Sequence, residues 1–194
     1  MADTREKILS CAKKLFNERG INDVSIGDIA SEVGISKGNV TYHFAKKELI
    51  VEALVLTTNQ MPQLEVASSI DSLIALIAHM QQVVQENAFY FRHYAQIAQM
   101  VPKIANCQKK AYKFYRAVVL QSFNELSKQN LLRENVTLQD LDRAIDAIFM
   151  TCVFWLPFSE LKGASSPEQP LLQCAFYLAD VLSAEGNAYL ESIL

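Results

Sequence analysis

Glycine and proline are spread so unevenly along this chain that they divide it. Four of the six glycines (Gly20, Gly27, Gly34, Gly38) fall inside nineteen residues, and no proline precedes Pro62. Glycine closes helices by adopting positive φ, and proline cannot continue one. The first stretch, to about residue 45, therefore reads as short helices cut by turns, and the rest as long helices broken at Pro62, at Pro102 and between Gly163 and Pro170. Six glycines and five prolines in 194 residues are too few for sandwiches and barrels, which reverse about every ten residues. Helix is the expectation throughout. At 51% hydrophobic and 20% charged residues, with a formal net charge of −3, one or two domains have ample core material. Disordered, collagen-like and polybasic classes are excluded.

The four cysteines, Cys11, Cys107, Cys152 and Cys174, sit at long spacings with no CxxC pair, so neither a disulfide framework nor a zinc knuckle is expected. No HxxxH or HExxH pattern supports a metal centre, and no cofactor is implied. The opening MADTREKIL places charges where a secretory signal needs an apolar core, which predicts a cytoplasmic protein. The longest uncharged runs, 72–85 and 147–159, are fourteen and thirteen residues. A bilayer span needs roughly 20 apolar residues, so no membrane segment is predicted.

Periodicity predicts a first helix over 4–19, with Ile8, Ala12, Leu15 and Phe16 on one face, ended by Gly20. Ser25 followed by Asp28 resembles a capping box for a second helix over 26–33. Gly34 and Ile35 then turn the chain, and Ser36 caps a third helix over 37–44. Further helices are expected over 46–59, 69–86, 87–100, 102–129, 137–159 and 168–184, with 186–194 extending the last, about nine in all.

Residues 26–43 have the logic of a helix-turn-helix. Ala30 is small where two helices cross, Gly34 supplies the positive φ of the turn, and Ile29, Val33, Ile35 and Val40 lock the pair together. The outer face of the third helix carries Lys37, Asn39, Thr41, Tyr42 and His43, with Lys46 and Lys47 just beyond. Amides and hydroxyls suit base edges in the major groove, while Tyr, His and Lys suit phosphate oxygens. The amide groups at the helix start, around Ser36, Lys37 and Gly38, add a site for a phosphate.

The segment SIGDIASEVGISKGNVTYHFAKKELIVEAL, residues 25–54, resembles the DNA-binding segment of the TetR/AcrR family of bacterial regulators, from Ser25 through Tyr42, His43 and Phe44 to Lys47, Glu48 and Leu49. The likeness covers about residues 5–55, and the preceding helix with Phe16 and Gly20 fits it as well. It implies an all-α fold: a three-helix helix-turn-helix DNA-binding domain over 1–46, then a larger effector-binding and dimerisation domain over 47–194, joined by the 46–59 helix. The implied DNA-binding set is Ser25, Ser36, Lys37, Gly38, Asn39, Thr41, Tyr42, His43, Lys46 and Lys47. Asn39 and Thr41 would lie near bases, Tyr42 and His43 near the backbone, and Lys47 on a phosphate. Thr41 departs from the family, which often has an aromatic residue there.

Residues 1–60 hold eight basic and eight acidic side chains, so the entire net negative charge lies beyond them. DNA affinity would then rest on the local cluster at Lys37, His43, Lys46 and Lys47, and on doubling by dimerisation. The last two long helices offer the dimer surface: Ile148, Cys152 and Trp155 on one, Leu171, Ala175, Leu178 and Leu182 on the other. In the resembling family this pair builds an intersubunit four-helix bundle.

The middle helices are rich in aromatic side chains. Phe89, Tyr90, His93, Tyr94, Gln96 and Met100, with Tyr112, Tyr115 and Phe149, are the candidate walls of an effector pocket, since such sites mix apolar surface with a few polar groups. The same residues at helical spacing also suit a plain core. The reading is a homodimeric, sequence-specific regulator of double-stranded operator DNA, a repressor released by a small molecule through a hinge near Pro62. The alternative is a helical dimeric interaction module without ligand-regulated DNA binding. An enzyme is not indicated, because no motif places a thiol or hydroxyl beside a base.

Overall fold

The computed structural model describes residues 3–58, 64–163 and 170–194. Eleven helices and no strand occur among them: α1 Thr4–Arg19, α2 Ile26–Val33, α3 Lys37–His43, α4 Lys47–Thr58, α5 Ile70–Glu86, α6 Ala88–Arg92, α7 Tyr94–Met100, α8 Pro102–Lys128, α9 Leu138–Leu161, α10 Pro170–Ala179 and α11 Ala184–Ile193. The all-α class is as expected, and the count of nine is corrected at two places. At His93 the backbone leaves helical geometry (φ −117°, ψ 25°), and its amide bonds back to Tyr90 over a tightened turn. At residues 180–183 the chain pairs instead with the 131–133 loop. Arg133 donates to the Val181 carbonyl and Ser183 to the Leu131 carbonyl, after which the Ser183 hydroxyl caps α11.

The chain packs as two compact units, residues 1–60 with 87–108 and residues 61–86 with 109–194. The first unit reaches beyond the 1–46 segment that its sequence marks as a domain. Phe16 on α1 is fully buried, and its ring is met at 5.8 Å by that of Phe89 on α6. The Phe89 amide also donates to the Asn17 side chain at 2.9 Å. Three short helices bury too little apolar surface alone, and α6 supplies the missing cover.

The second unit centres on Ile70, Leu73 and Ile77 of α5, Val119 and Phe123 of α8, Ile145 and Ile148 of α9, and Cys174 and Leu178 of α10. Ser122, a buried hydroxyl in this core, accepts from the Ala67 amide and donates to the Val118 carbonyl. It is fully satisfied, as a buried polar group must be.

The expected absence of a membrane-length apolar helix needs correction. By length and composition α9 is able to cross a bilayer, and only 28% of its most apolar stretch is buried. Of its acidic and basic side chains, Asp140, Asp142, Arg143 and Asp146 crowd the first half and Glu160 stands at the far end, which leaves 147–158 apolar or uncharged. One side of the helix, from Leu141 to Val153, nonetheless lies in the core of the second unit. Pro62, expected to mark the hinge, lies outside the described residues.

Candidate nucleic-acid interface

The α2–α3 pair is set by its own sequence. The Ser25 hydroxyl accepts from the Asp28 amide at 3.1 Å, and the Asp28 carboxylate accepts from the Ser25 amide at 2.7 Å and its hydroxyl at 2.6 Å. This reciprocal cap starts α2. Those hydrogen bonds, from the Ser25 hydroxyl first and its amide second, hold the Asp28 carboxyl below its ordinary value. Gly34 ends α2 at φ 75°, ψ 34°, a left-handed conformation that an L side chain resists. Ser36 then restarts the chain, its hydroxyl accepting from the Asn39 amide at 3.1 Å. Val40, Ile29 and Ala30 are buried and join α3 to α2 and α2 to α1.

With Val40 facing in, α3 turns Lys37, Gly38, Asn39 and Tyr42 to solvent, and Thr41 and His43 partly so. Tyr42 is 85% exposed, an aromatic ring whose one ring contact among the described residues is edge-on with His43 at 5.3 Å. Thr41 donates its hydroxyl to the Gly38 carbonyl at 3.0 Å, which leaves it acceptor lone pairs and a methyl group for a base edge. Ser36 keeps its hydroxyl proton for an outside acceptor, whereas Ser25 spends its proton on Asp28. Lys37 and Lys46 are exposed and unpaired among the described residues. The exposed Lys14 and Glu32 pair at 3.4 Å and so partly cancel each other on the flank.

Lys47 departs from its expected place on a phosphate. Its ammonium donates to the carbonyls of Ile21 at 2.6 Å, Val24 at 2.9 Å and Asn22 at 3.5 Å. All three of its protons are thereby engaged inside the fold, where they tie the start of α4 to the α1–α2 loop. Two residues that the sequence reading did not single out also shape the head. Asn17 anchors α6, and the Arg5 guanidinium lies 5.1 Å over the Phe44 ring, as a cation–π contact.

The expected effector residues fall into separate groups. Phe89 and Tyr90 are buried in the core of the first unit. His93 and Gln96 line a cavity of about 230 Å³ in that unit, together with Ile21, Asn22, Lys47, Glu48, Val51, Ile97 and Val101. Tyr94 stacks flat against Phe91, 5.7 Å between ring centroids, and burial pushes its phenol well above the ordinary value. In the second unit Phe149 meets Tyr112 at 5.1 Å and Tyr115 at 5.6 Å. The side chain of Met100 lies outside the described residues.

The dimer residues are corrected by burial. Ile148, Cys152, Ala175, Leu178 and Leu182 all face the core of their own unit, while Trp155 and Leu171 are half-buried. The apolar surface that α9 and α10 turn outward is carried instead by Met150, Phe154, Phe158 and Leu161, and by Leu172 and Phe176. These outward residues recur every three or four positions and lie off the Ile148–Cys152 stripe. The sequence shows both stripes, and only packing tells which one the core takes. Between the two helices runs a groove of about 590 Å³ lined by Met150, Phe154, Trp155, Phe158, Gln173 and Tyr177 among others.

Comparison with known proteins matches this geometry. Residues 8–54 match the family described as bacterial regulatory proteins, tetR family. Over 64 residues the chain is 34% identical to the HTH-type transcriptional regulator AcrR of Shigella flexneri, a stretch that covers 32% of this chain and 30% of AcrR. In fold, the crystal structure of a TetR-family transcriptional regulator from Marinobacter aquaeolei agrees with a TM-score of 0.83 at 17% identity, covering 99% of this chain and 97% of the other. SmeT, the repressor of the Stenotrophomonas maltophilia multidrug efflux pump SmeDEF, agrees with a TM-score of 0.62 at 19% identity, covering 94% and 92%. SmeT has also been solved as a complex with triclosan. The sequence likeness to the tetR family of bacterial regulatory proteins thus lies in the capped α2–α3 head, over residues 8–54, and the fold likeness runs the length of the chain.

Proposed function

We propose that two copies of this chain bind a pseudo-palindromic operator, each laying α3 into the major groove, and that a small-molecule effector releases them to relieve repression. The observation that carries this reading is the face of α3. A seven-residue helix, capped by Ser36 and locked inward by Val40, leaves the side chains of Lys37, Asn39 and an 85% exposed Tyr42 turned to solvent. Burying one side and offering mixed amide, hydroxyl, phenol and ammonium groups on the other suits a groove with base edges flanked by phosphates. One such helix reads few base pairs. Selectivity therefore calls for a twofold pair spaced by about one DNA turn, some 34–36 Å.

The outward apolar residues of α9 and α10 support the pairing, since monomeric soluble proteins rarely leave so continuous a patch uncovered. The effector is proposed to be small and largely apolar, like the triclosan bound by SmeT. It would act by binding better to a conformation whose two heads no longer match the operator spacing.

The test is fluorescence anisotropy with duplex DNA from the promoter of the protein's own gene, titrated across salt concentration. A salt-sensitive complex that Lys37→Ala weakens supports the proposal, with the log–log salt slope expected to fall by about 0.9 for each lost phosphate contact. No complex at low salt sinks it in favour of a protein-interaction module.

A further inference from the structure

The second unit holds a side-chain cluster for which operator binding has no use. Cys152 on α9 and Cys174 on α10 set their sulfurs 3.9 Å apart, with 1% and 0% of the residues exposed. The hydrogen bond with Cys152, and then burial, push the Cys174 thiol far above its usual value. The lack of exposure keeps charged thiol reagents from the pair. The same core holds the Tyr115 hydroxyl, buried, electrostatically coupled to both thiols and without a hydrogen-bond partner among the described residues. The buried Gln81 amide also acts on Cys174, in the direction that favours its charged form.

We propose that Cys152 and Cys174 form an oxidation site, in which a small uncharged hydroperoxide converts the pair to an intramolecular disulfide and thereby changes the outward face of α9 and α10. The first thiol attacks the peroxide oxygen as it gives up its proton. The O–O bond breaks, the thiol proton goes to the departing oxygen, and a sulfenic acid and an alcohol (water, from hydrogen peroxide) result. The second thiol attacks that sulfur, the S–S bond forms, and the hydroxyl leaves as water with the second thiol's proton. Two thiols are oxidised by two electrons, and the peroxide is reduced by two.

Closing the sulfurs from 3.9 Å to the about 2.05 Å of a disulfide has a structural consequence. A protein interior is close-packed and passes such a displacement to the helices. Phe154 and Phe176 each follow one of these cysteines by two residues and are exposed on the face the helices turn outward. That the change alters pairing of two copies rests on the function proposed above; that the disulfide forms does not.

The experiment uses the reduced full chain exposed to hydrogen peroxide, quenched by N-ethylmaleimide, and read by intact and peptide mass and by sedimentation. The expected result is a loss of about 2 Da with one cross-linked peptide pair joining Cys152 to Cys174, reversed by dithiothreitol, and a shift in dimer dissociation. Cys174→Ser, or Cys174→Ala if the serine variant does not fold, is expected to abolish both changes. Finding Cys152 and Cys174 both alkylated under denaturing conditions, at peroxide levels that already oxidise the half-buried Cys11 or Cys107, overturns the site. A disulfide that leaves dimer dissociation unmoved overturns its effect on the face. If the reduced chain is monomeric, the pairing reading fails, while the mass measurement still decides the site.

Discussion

The Lys47 ammonium donates a 2.6 Å hydrogen bond to the Ile21 carbonyl, which makes this lysine a strut of the head and not a free charge on its surface. With the Val24 and Asn22 carbonyls also accepting, the turn that precedes α2 hangs from the first residue of α4. Lys47→Ala is expected to destabilise the first unit by about 1.5–3 kcal/mol, the range for a hydrogen bond to a charged group. It should leave the salt slope of DNA binding close to that of the parent, whereas Lys37→Ala should lower that slope with little change in stability. Thermal melts and salt titrations of the two variants separate the roles. A lowered slope at unchanged melting temperature for Lys47→Ala would return it to a phosphate.

Phe89 covers Phe16 with both rings buried, and its amide is held by Asn17. Phe89→Ala removes a ring that the surrounding core cannot refill, at an expected cost of about 3–5 kcal/mol. Asn17→Ala leaves the Phe89 amide without its acceptor, at about 1–3 kcal/mol. Since both substitutions detach the same joint, the double variant should fall short of the sum. A urea-melt double-mutant cycle measures this, and strict additivity would mean that α6 is held to α1 elsewhere.

How much of this was legible beforehand divides by the range of the interactions. The α2–turn–α3 head is written in local chemistry: a Ser25–Asp28 cap, a positive-φ Gly34 and a Ser36 cap each act within four residues, and all three are found as the sequence predicts. Lys47 reads as a surface cation because its three carbonyl acceptors lie more than twenty residues away in sequence, where no local pattern reveals them. Cys152 and Phe154 stand two residues apart on one apolar helix, and periodicity alone does not say which of the two faces the core. The break after Ala179 was hidden for a similar reason: a bridge between Leu132 and Leu182 draws the chain out of helix fifty residues from its partner.

The cap of α2 makes the head sensitive to acid in a stated direction. Asp28 is held below its ordinary value of 3.8, first by the Ser25 hydroxyl and then by the Ser25 amide. A depressed carboxylate adds stability that is present above the ordinary value and lost as pH falls through the folded one. Stability is thus expected to drop as pH falls below about 3.8, and Asp28→Asn should flatten part of that limb while lowering stability at neutral pH. Urea melts between pH 2 and pH 7, parent against variant, test it, and parallel curves would show that the cap carries no linkage. Asp140 forms the same reciprocal cap with Thr137 on α9 and should keep its own share of the acid response in the variant.

Phe176 and Leu178, two residues apart on α10, are 71% and 0% exposed, and this contrast predicts opposite responses to substitution. Leu178→Ala opens a cavity in the core of the second unit and should cost about 2–5 kcal/mol whatever the protein concentration. Phe176→Glu alters a ring that its own unit does not cover, and an exposed change of that kind is usually within about 0.5 kcal/mol for an isolated chain. If α9 and α10 pair with a second copy, however, the glutamate places an unpaired charge in an apolar interface. The variant should then sediment as a monomer and lose the concentration-dependent part of its melting temperature. Its operator affinity should fall with the loss of the second head, since two linked contacts bind far better than one. The same variant sedimenting as a dimer with parental affinity would place the interface on another face of the second unit.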